Sequence, residues 1–387
     1  MTTRRTLDDK AYADGQGGRL SMHDLLNVFA KRGAMRVSDL HLKVGSPPTY
    51  RVDGLLQVMH TAPLVEEAVE ALAETLLTEP EWERLKRDGA VDGSLFQANM
   101  QFRLNVFRDM DGPVIALRAL AAHPPTLEEI GFPNQVWRDI VTSEFGLVLV
   151  TGITGAGKST TIASLIEYIS RNSAARIITL EDPIEYRLRS SKSLISQREV
   201  GRHVPSFERG LRDCLREDPD VIFVGEMRDR ESTSWTLTAA ETGHLVFSTL
   251  HTRDARGSIT RILDMYPSER QDEAANQLSL GLRHIISQKL VPRADGNGRV
   301  VAMEILNNSY AVANQIRLRK VEQIYNALQT QTKDVPAERM TSLERSLAML
   351  VRKGVVAALE AEKWANHPSA LLDELRESSS DASKERL

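Results

Sequence analysis

The chain has 387 residues, a formal net charge of -4, 41% hydrophobic and 26% charged residues, and a single cysteine. Its length suits two domains at ~100–200 residues each. The mild acidity argues against a dedicated nucleic-acid binder, and no nucleic acid is expected as a partner. Cys214 alone permits neither an internal disulfide nor a four-cysteine zinc module. No apolar run reaches the ~18–20 residues that a membrane-spanning helix needs.

In chain order, residues 1–20 read as a flexible polar leader without the apolar centre of a signal peptide. Ser21 and Asp24 mark a helix start, with Leu25, Leu26 and Phe29 as its buried stripe. Leu40, Leu42 and Val44 then alternate with Asp39, His41 and Lys43, the period of a half-buried strand. A second extended segment runs from Tyr50 to Leu56 around Asp53-Gly54, and helices are predicted from Val65 to Leu77 and from Trp82 to Arg87. Met100–Asp109 and Val114–Leu120 read as strands, completing a small α+β domain over 21–121. Residues 122–133 are rich in proline and glycine and form the predicted linker.

From 134 onward the pattern becomes strand–helix–strand–helix. Apolar strands at 147–150, 176–180, 221–224 and 245–248 predict a parallel sheet covered on both faces, so the fold class is α/β. The chain is largely helical from Ser309 to about 375. There Ile316, Leu318, Val321 and Ile324 read as a buried stripe, and Arg317, Arg319 and Lys320 as a basic face. Residues 376–387 are polar and serine-rich and read as a disordered tail.

Gly152-Ile153-Thr154-Gly155-Ala156-Gly157-Lys158-Ser159, followed by Thr160, fits G-x-x-x-x-G-K-[ST] between a strand and a helix. In such a loop glycines let backbone N–H groups wrap phosphate oxygens at a helix N-terminus; Lys158 reaches the outer phosphates and Ser159 ligates Mg²⁺. ATP and Mg²⁺ are the implied ligands. Asp220 through Val224-Gly225-Glu226 is an apolar strand ending in an acid, the place for a residue that orients or deprotonates the attacking water or holds Mg²⁺. Glu181, Asp182 and Glu185 cluster at the end of another strand, where they suit either metal and water positioning or a solvated turn around Pro183. His244 and His251 flank one strand and so lie at opposite ends of it. This argues against a shared metal and leaves His251 at the carboxyl end, where it suits either a phosphate sensor or an ordinary polar residue. Arg103 and Arg118 lie on strands of the first domain, where arginines are ordinarily just exposed.

Together these motifs resemble the type II/IV secretion ATPase superfamily, and within it the pilus retraction ATPases of the PilT and PilU branch. The resemblance covers roughly residues 21–350. It is carried by the loop 152–160, Thr179 through Tyr186, Leu215 through Asp229, Thr238 through Thr252, Gln197 through Val200 and Ser38 through Leu42. It implies a PAS-like N-terminal domain joined to a RecA-like ATPase domain with C-terminal helices over 134–375. It also implies Glu226 as catalytic acid, metal or water roles for Glu181 and Glu185, a nucleotide-responsive His251, and Arg103 with Arg118 closing over phosphates. The implied assembly is a cytoplasmic homohexameric ring, peripheral at the inner membrane. Its partners would be a pilus platform protein and a companion retraction ATPase, and its output pilus retraction and twitching motility. Related readings are a PilU-like accessory subunit or a secretion or DNA-transfer ATPase of the same superfamily. The stretch Ala311 through Arg317 departs from the usual retraction motif and leans, with Ile285 through Pro292, toward the PilU-like branch.

Overall fold

The computed structural model describes residues 5–32, 37–52, 54–97, 100–120, 123–334 and 339–384. They divide into two compact units, one of Met1–His123 with Asp182–Arg187 and one of Pro124–Glu181 with Leu188–Leu387.

In the first unit, strands with alternating burial form one antiparallel six-stranded sheet. Its order is Leu55–Val58, Thr49–Val52, Val37–Lys43, Gly112–Leu120, Met100–Asp109, Ala90–Gln97. Period two places Leu40, Leu42, Phe102, Leu104 and Val106 on one face, where they are buried with Phe29 and Leu72 from the helices. Phe29 meets Tyr50 and Phe102 edge-on at centroid distances of 5.8 and 5.1 Å, the geometry that aromatic quadrupoles favour.

Three features of this unit differ from the sequence reading. The extended segment 50–56 is a hairpin, its strands paired on either side of residues 53–54, with Asp53 itself outside the described residues. Ala90–Gln97 is an additional edge strand, paired with Met100–Asp109. The predicted flexible leader holds a small hairpin, Tyr12–Ala13 against Arg19–Leu20. Asp14 Oδ1 closes its turn by accepting from the N–H groups of Gln16 at 2.8 Å and Gly18 at 2.9 Å. Tyr12 is buried and donates its hydroxyl to the Ala62 carbonyl. One aromatic anchor and one Asx turn order a stretch whose average composition is polar.

The second unit is built on a seven-stranded sheet. Its order is Leu194–Glu199, Arg176–Glu181, Val221–Val224, Leu245–Leu250, Gly146–Thr151, Leu282–Pro292, Arg299–Asn307. All neighbours run parallel except the last pair. The four predicted apolar strands form its centre and are almost wholly buried. Of the three strands the sequence reading missed, Leu194–Glu199 and Arg299–Asn307 are the two edges and Leu282–Pro292 lies beside the latter; in Leu194–Glu199 polar residues such as Ser196, Gln197 and Arg198 break the apolar run.

Helices Leu343–Arg352 and Pro368–Lys384 enclose a further core with Val291, Ala302, Leu347 and Leu371. The latter helix continues to Lys384, so the stretch read as a disordered tail from 376 is helical there. Ile316, Val321 and Ile324 are buried, but Leu318 is 52% exposed. The helix Tyr310–Arg317 ends at this point and Arg319 takes φ 56°, so the 3.6-residue spacing does not run through position 318. Arg317, Arg319 and Lys320 are exposed, as the sequence suggested. Arg319 is held by Asp272 at 3.2 Å and Gln271 at 2.6 Å.

One buried acid ties the edge of this sheet to its helices. Glu304 is 3% exposed, and its Oε1 accepts from the Ala255 N–H at 2.8 Å, the first residue of helix Ala255–Asp264. Burial, with the charges of Asp254 and Glu344, pushes the Glu304 carboxyl up to about 8. Cys214 is likewise buried, and its thiol is pushed up to about 12.

Candidate active site

The glycine-rich loop leaves strand Gly146–Thr151 and enters helix Lys158–Asn172, the order the motif requires. Its glycines answer to space as well as to backbone angle. Gly152 has φ 148°, and a Cβ there would stand 2.5 Å from the Gln288 carbonyl oxygen and 2.9 Å from the Ala156 side chain. Gly157, with φ 86°, is the residue just before the helix, and its Cβ would meet Gln288 Nε2 at 3.2 Å. The loop is therefore drawn tight, while Thr154 and Gly155 stay exposed at its crown. A narrow turn of glycines ending on the first turn of a 15-residue helix suits a bound phosphate chain. Ser159 and Thr160 occupy that first turn. Among the described residues no group of three or more His, Cys, Asp or Glu could hold a metal ion. A Mg²⁺ held by the Ser159 hydroxyl would be completed by phosphate oxygens, water and one or two carboxylates, the usual arrangement for this ion.

Lys158 is 8% exposed and folds back on the loop, donating to the carbonyls of Gly152 at 3.0 Å and Ile153 at 3.2 Å. Its Nζ also stands 3.4 Å from His251 Nδ1. The opposite ring nitrogen of His251 lies 3.4 Å from Glu226 Oε1. An ammonium can only donate, so Nδ1 accepts and the proton of a neutral ring sits on Nε2, facing the carboxylate. The side chains of Lys158, His251 and Glu226 thus form one line across the carboxyl ends of three strands, where open α/β sheets place their ligands. His244 lies at the far end of the same strand, as predicted.

Strand-end hydrogen bonds hold this line. Ser248 Oγ donates to the Val224 carbonyl at 2.8 Å, and Thr249 Oγ1 donates to the Gly225 carbonyl at 2.6 Å. The Met227 N–H reaches the Thr249 carbonyl at 3.2 Å, and the Gly225 N–H reaches the Leu180 carbonyl at 2.8 Å. A Cβ on Gly225 would come within 3.2 Å of the Leu180 carbonyl oxygen, so a larger residue there would push the acid-bearing turn away. Glu226 is half-buried, and its Oε2 accepts from Arg228 Nε at 2.9 Å.

Glu181 is 7% exposed, and its Oε1 accepts from Thr179 Oγ1 at 2.7 Å and Gln197 Nε2 at 3.0 Å. Glu185 lies in Asp182–Arg187, which belongs to the N-terminal unit. There Glu185 stands 3.8 Å from Arg103, and Gln101 Nε2 donates to the Ile184 carbonyl at 3.0 Å.

Arg118 is paired within the same sheet. Its Nε donates at 2.7 Å to Asp39 Oδ1 on the adjacent strand, opposite it in register. Asp39 is 5% exposed. Burial alone would raise its carboxyl, but the Ser38 hydroxyl and the Arg118 guanidinium outweigh that and hold it below the usual carboxylate range.

Sequence reasoning missed Arg228, Asp39 and Gln288 as members of these constellations. Each lies inside a quoted stretch; the partners of Asp39 and Gln288 come from different segments of the chain, and that of Arg228 from across a tight turn. Only a polar residue placed among apolar neighbours hinted at Asp39 and Gln288.

The chain has relatives among known proteins. Residues 29–379 match the family model described as type II/IV secretion system protein. The type IV pilus retraction ATPase PilT of Pseudomonas aeruginosa is 40% identical over 350 residues, covering 90% of this chain and 99% of that protein. The type IV pilus ATPase PilU of the same organism is 32% identical over 343 residues, 88% of each chain. The lean toward PilU drawn from residues 285–292 and 311–317 is thus outweighed by the whole chain, which is more similar to PilT than to PilU. The crystal structure of the pilus retraction motor PilT with bound ADP superposes with a TM-score of 0.82 at 39% identity, covering 92% of this chain and 99% of that one. Its likeness accords with the expected N-terminal domain and RecA-like ATPase domain. A family match across most of the chain, and a glycine loop, acid-tipped strand and histidine drawn into one line, make this chain a member of the type II/IV secretion system ATPase family.

Proposed function

We propose that this chain is a homohexameric motor that hydrolyses ATP to ADP and phosphate and uses the cycle to power type IV pilus retraction and twitching motility. The observation that carries the reading is the Lys158–His251–Glu226 line beside a glycine loop too tight for side chains. When ATP binds, Lys158 exchanges the Gly152 and Ile153 carbonyls for phosphate oxygens, and the loop N–H groups take the remainder of the charge. Mg²⁺, held through Ser159, neutralises phosphate charge. Glu226 orients the attacking water and accepts its proton, while His251 reports between the lysine and the acid. Glu181, fixed by Thr179 and Gln197, serves the same polar end of the sheet. Arg103 and Arg118 are the groups the N-terminal unit offers to phosphates, in its own chain or a neighbour's, and Glu185 takes a metal or water role. The motor works on the cytoplasmic side of the inner membrane, against the pilus platform protein and beside a companion retraction ATPase.

The test separates binding from chemistry. Lys158→Ala should abolish tight ATP binding, whereas Glu226→Gln should bind ATP and hydrolyse it at least ~10²-fold more slowly, the scale of losing a general base. Equal loss of binding in both variants would refute this division. In cells, deletion should leave excess surface pili and no twitching; loss of pili would point to assembly instead.

A further inference from the structure

Gln288 has no part in the scheme above, yet it touches the glycine loop at both ends. It lies on strand Leu282–Pro292, parallel to the strand that feeds the loop, and Ser287 is in register with Thr151. Gln288 is thereby level with Gly152, the first loop residue. Its backbone carbonyl fills the space that a Cβ on Gly152 would need. The residue is 2% exposed, and its side chain runs along the last part of the loop. Nε2 donates to the Ala156 carbonyl at 2.7 Å, and Oε1 accepts from Thr161 Oγ1 at 3.0 Å on the first turn of the following helix. The Ala156 carbonyl can only accept, so it fixes which end of the carboxamide is which.

We propose that Gln288 is a positioning residue for the phosphate loop: it turns the Ala156–Gly157 peptide so that the Gly157 N–H faces the bound phosphates. The peptide bond is planar and trans, so its C=O and N–H point in opposite directions. Gln288 holds the Ala156 oxygen outward, toward the sheet, and this aims the Gly157 N–H to the inner side of the loop. Gly157, at φ 86°, has a backbone free to adopt either orientation of that peptide, so its own preference does not make the choice. The bond to Thr161 ties the same carboxamide to the helix, which keeps the loop and helix N–H groups in one register. The chemistry recognised is a nucleoside diphosphate or triphosphate, and the inference rests on the nucleotide-loop reading above.

Gln288→Glu tests the donor without changing shape. An ionised carboxylate cannot donate to Ala156 and repels its carbonyl. A protonated one donates again, and burial raises a carboxyl's pKa toward neutrality. ADP binding should be measured by calorimetry from pH 8.5 down to pH 5.5 on wild type, Gln288→Glu, Gln288→Met and Lys158→Ala, with thermal melts confirming folding. At pH 8.5 the Gln288→Glu variant should bind ADP about tenfold or more weakly, the scale of an unmet buried hydrogen bond. That gap should close as pH falls, while Gln288→Met stays weak throughout. Affinity equal to wild type at pH 8.5, or a loss that does not recover at low pH, would overturn the assignment while leaving the nucleotide reading intact. A wild type that binds no ADP, or binding untouched by Lys158→Ala, would overturn the nucleotide reading and this inference with it.

Discussion

Replacing Glu304 by glutamine should remove a large part of the pH dependence of stability. Glu304 is buried on strand Arg299–Asn307, and its carboxyl is raised from 4.5 to about 8. A raised carboxyl prefers its proton in the folded state, so its stabilising contribution is complete below the unfolded value. That contribution is lost as pH climbs toward the folded value. Between pH 5 and pH 8 the linkage comes to about 3 to 4 kcal/mol, since each tenfold change in proton affinity is worth ~1.4 kcal/mol. Glutamine keeps an oxygen for the Ala255 N–H and has no proton to lose. The assay is urea unfolding at half-unit steps from pH 5 to pH 8.5 on both proteins. Histidines that titrate in the same range act on both, so the difference between the two curves isolates Glu304. Wild type should fall relative to Glu304→Gln by a few kcal/mol across the range. Parallel curves would refute the argument, and would mean that Glu304 ionises freely, with water reaching it. The consequence reaches the candidate site, because Ala255 opens the helix that follows the His251 turn.

Two further outcomes follow from local geometry. Gly157→Ala must hold a left-handed φ of 86° and press a methyl group within 3.2 Å of Gln288. It should lower stability by ~1–2 kcal/mol and weaken ADP binding, read by melting and calorimetry; unchanged values in both would show that the loop relaxes freely. Asp39→Asn removes the buried partner of Arg118, whose side chain is 67% exposed. Because that arginine remains solvated, the cost should be about 1–2 kcal/mol, below the ~3–5 kcal/mol of a fully buried pair. Asp39 is held below its usual range, so its contribution is present above the ordinary carboxylate pKa and disappears as pH falls through the lowered value. Acid titration of the two proteins should therefore converge at low pH.

Much of the candidate site was legible along the chain. Glycines at fixed spacing before Lys158, apolar runs of strand length, and an acid or histidine at the end of such a run are local patterns. Neighbouring residues set their backbone angles and burial, so Gly152 through Thr160, Glu226 and His251 could be placed without knowing what packs against them. The central strands of the parallel sheet were visible for the same reason, since a strand buried on both faces must be apolar throughout. Edge strands such as Leu194–Glu199 keep one side polar and lose that signature. Pairings between distant segments were decided only in three dimensions. Strand register set Asp39 opposite Arg118 and Gln288 level with Gly152. The segment Asp182–Arg187 set Glu185 within 3.8 Å of Arg103. The turn after Val224 brought Arg228 back onto Glu226. In each case the polar residue looks ordinary among its sequence neighbours. Its role comes from a hydrogen-bond partner tens of residues or one tight turn away, brought into reach by the packing of the sheet as a whole.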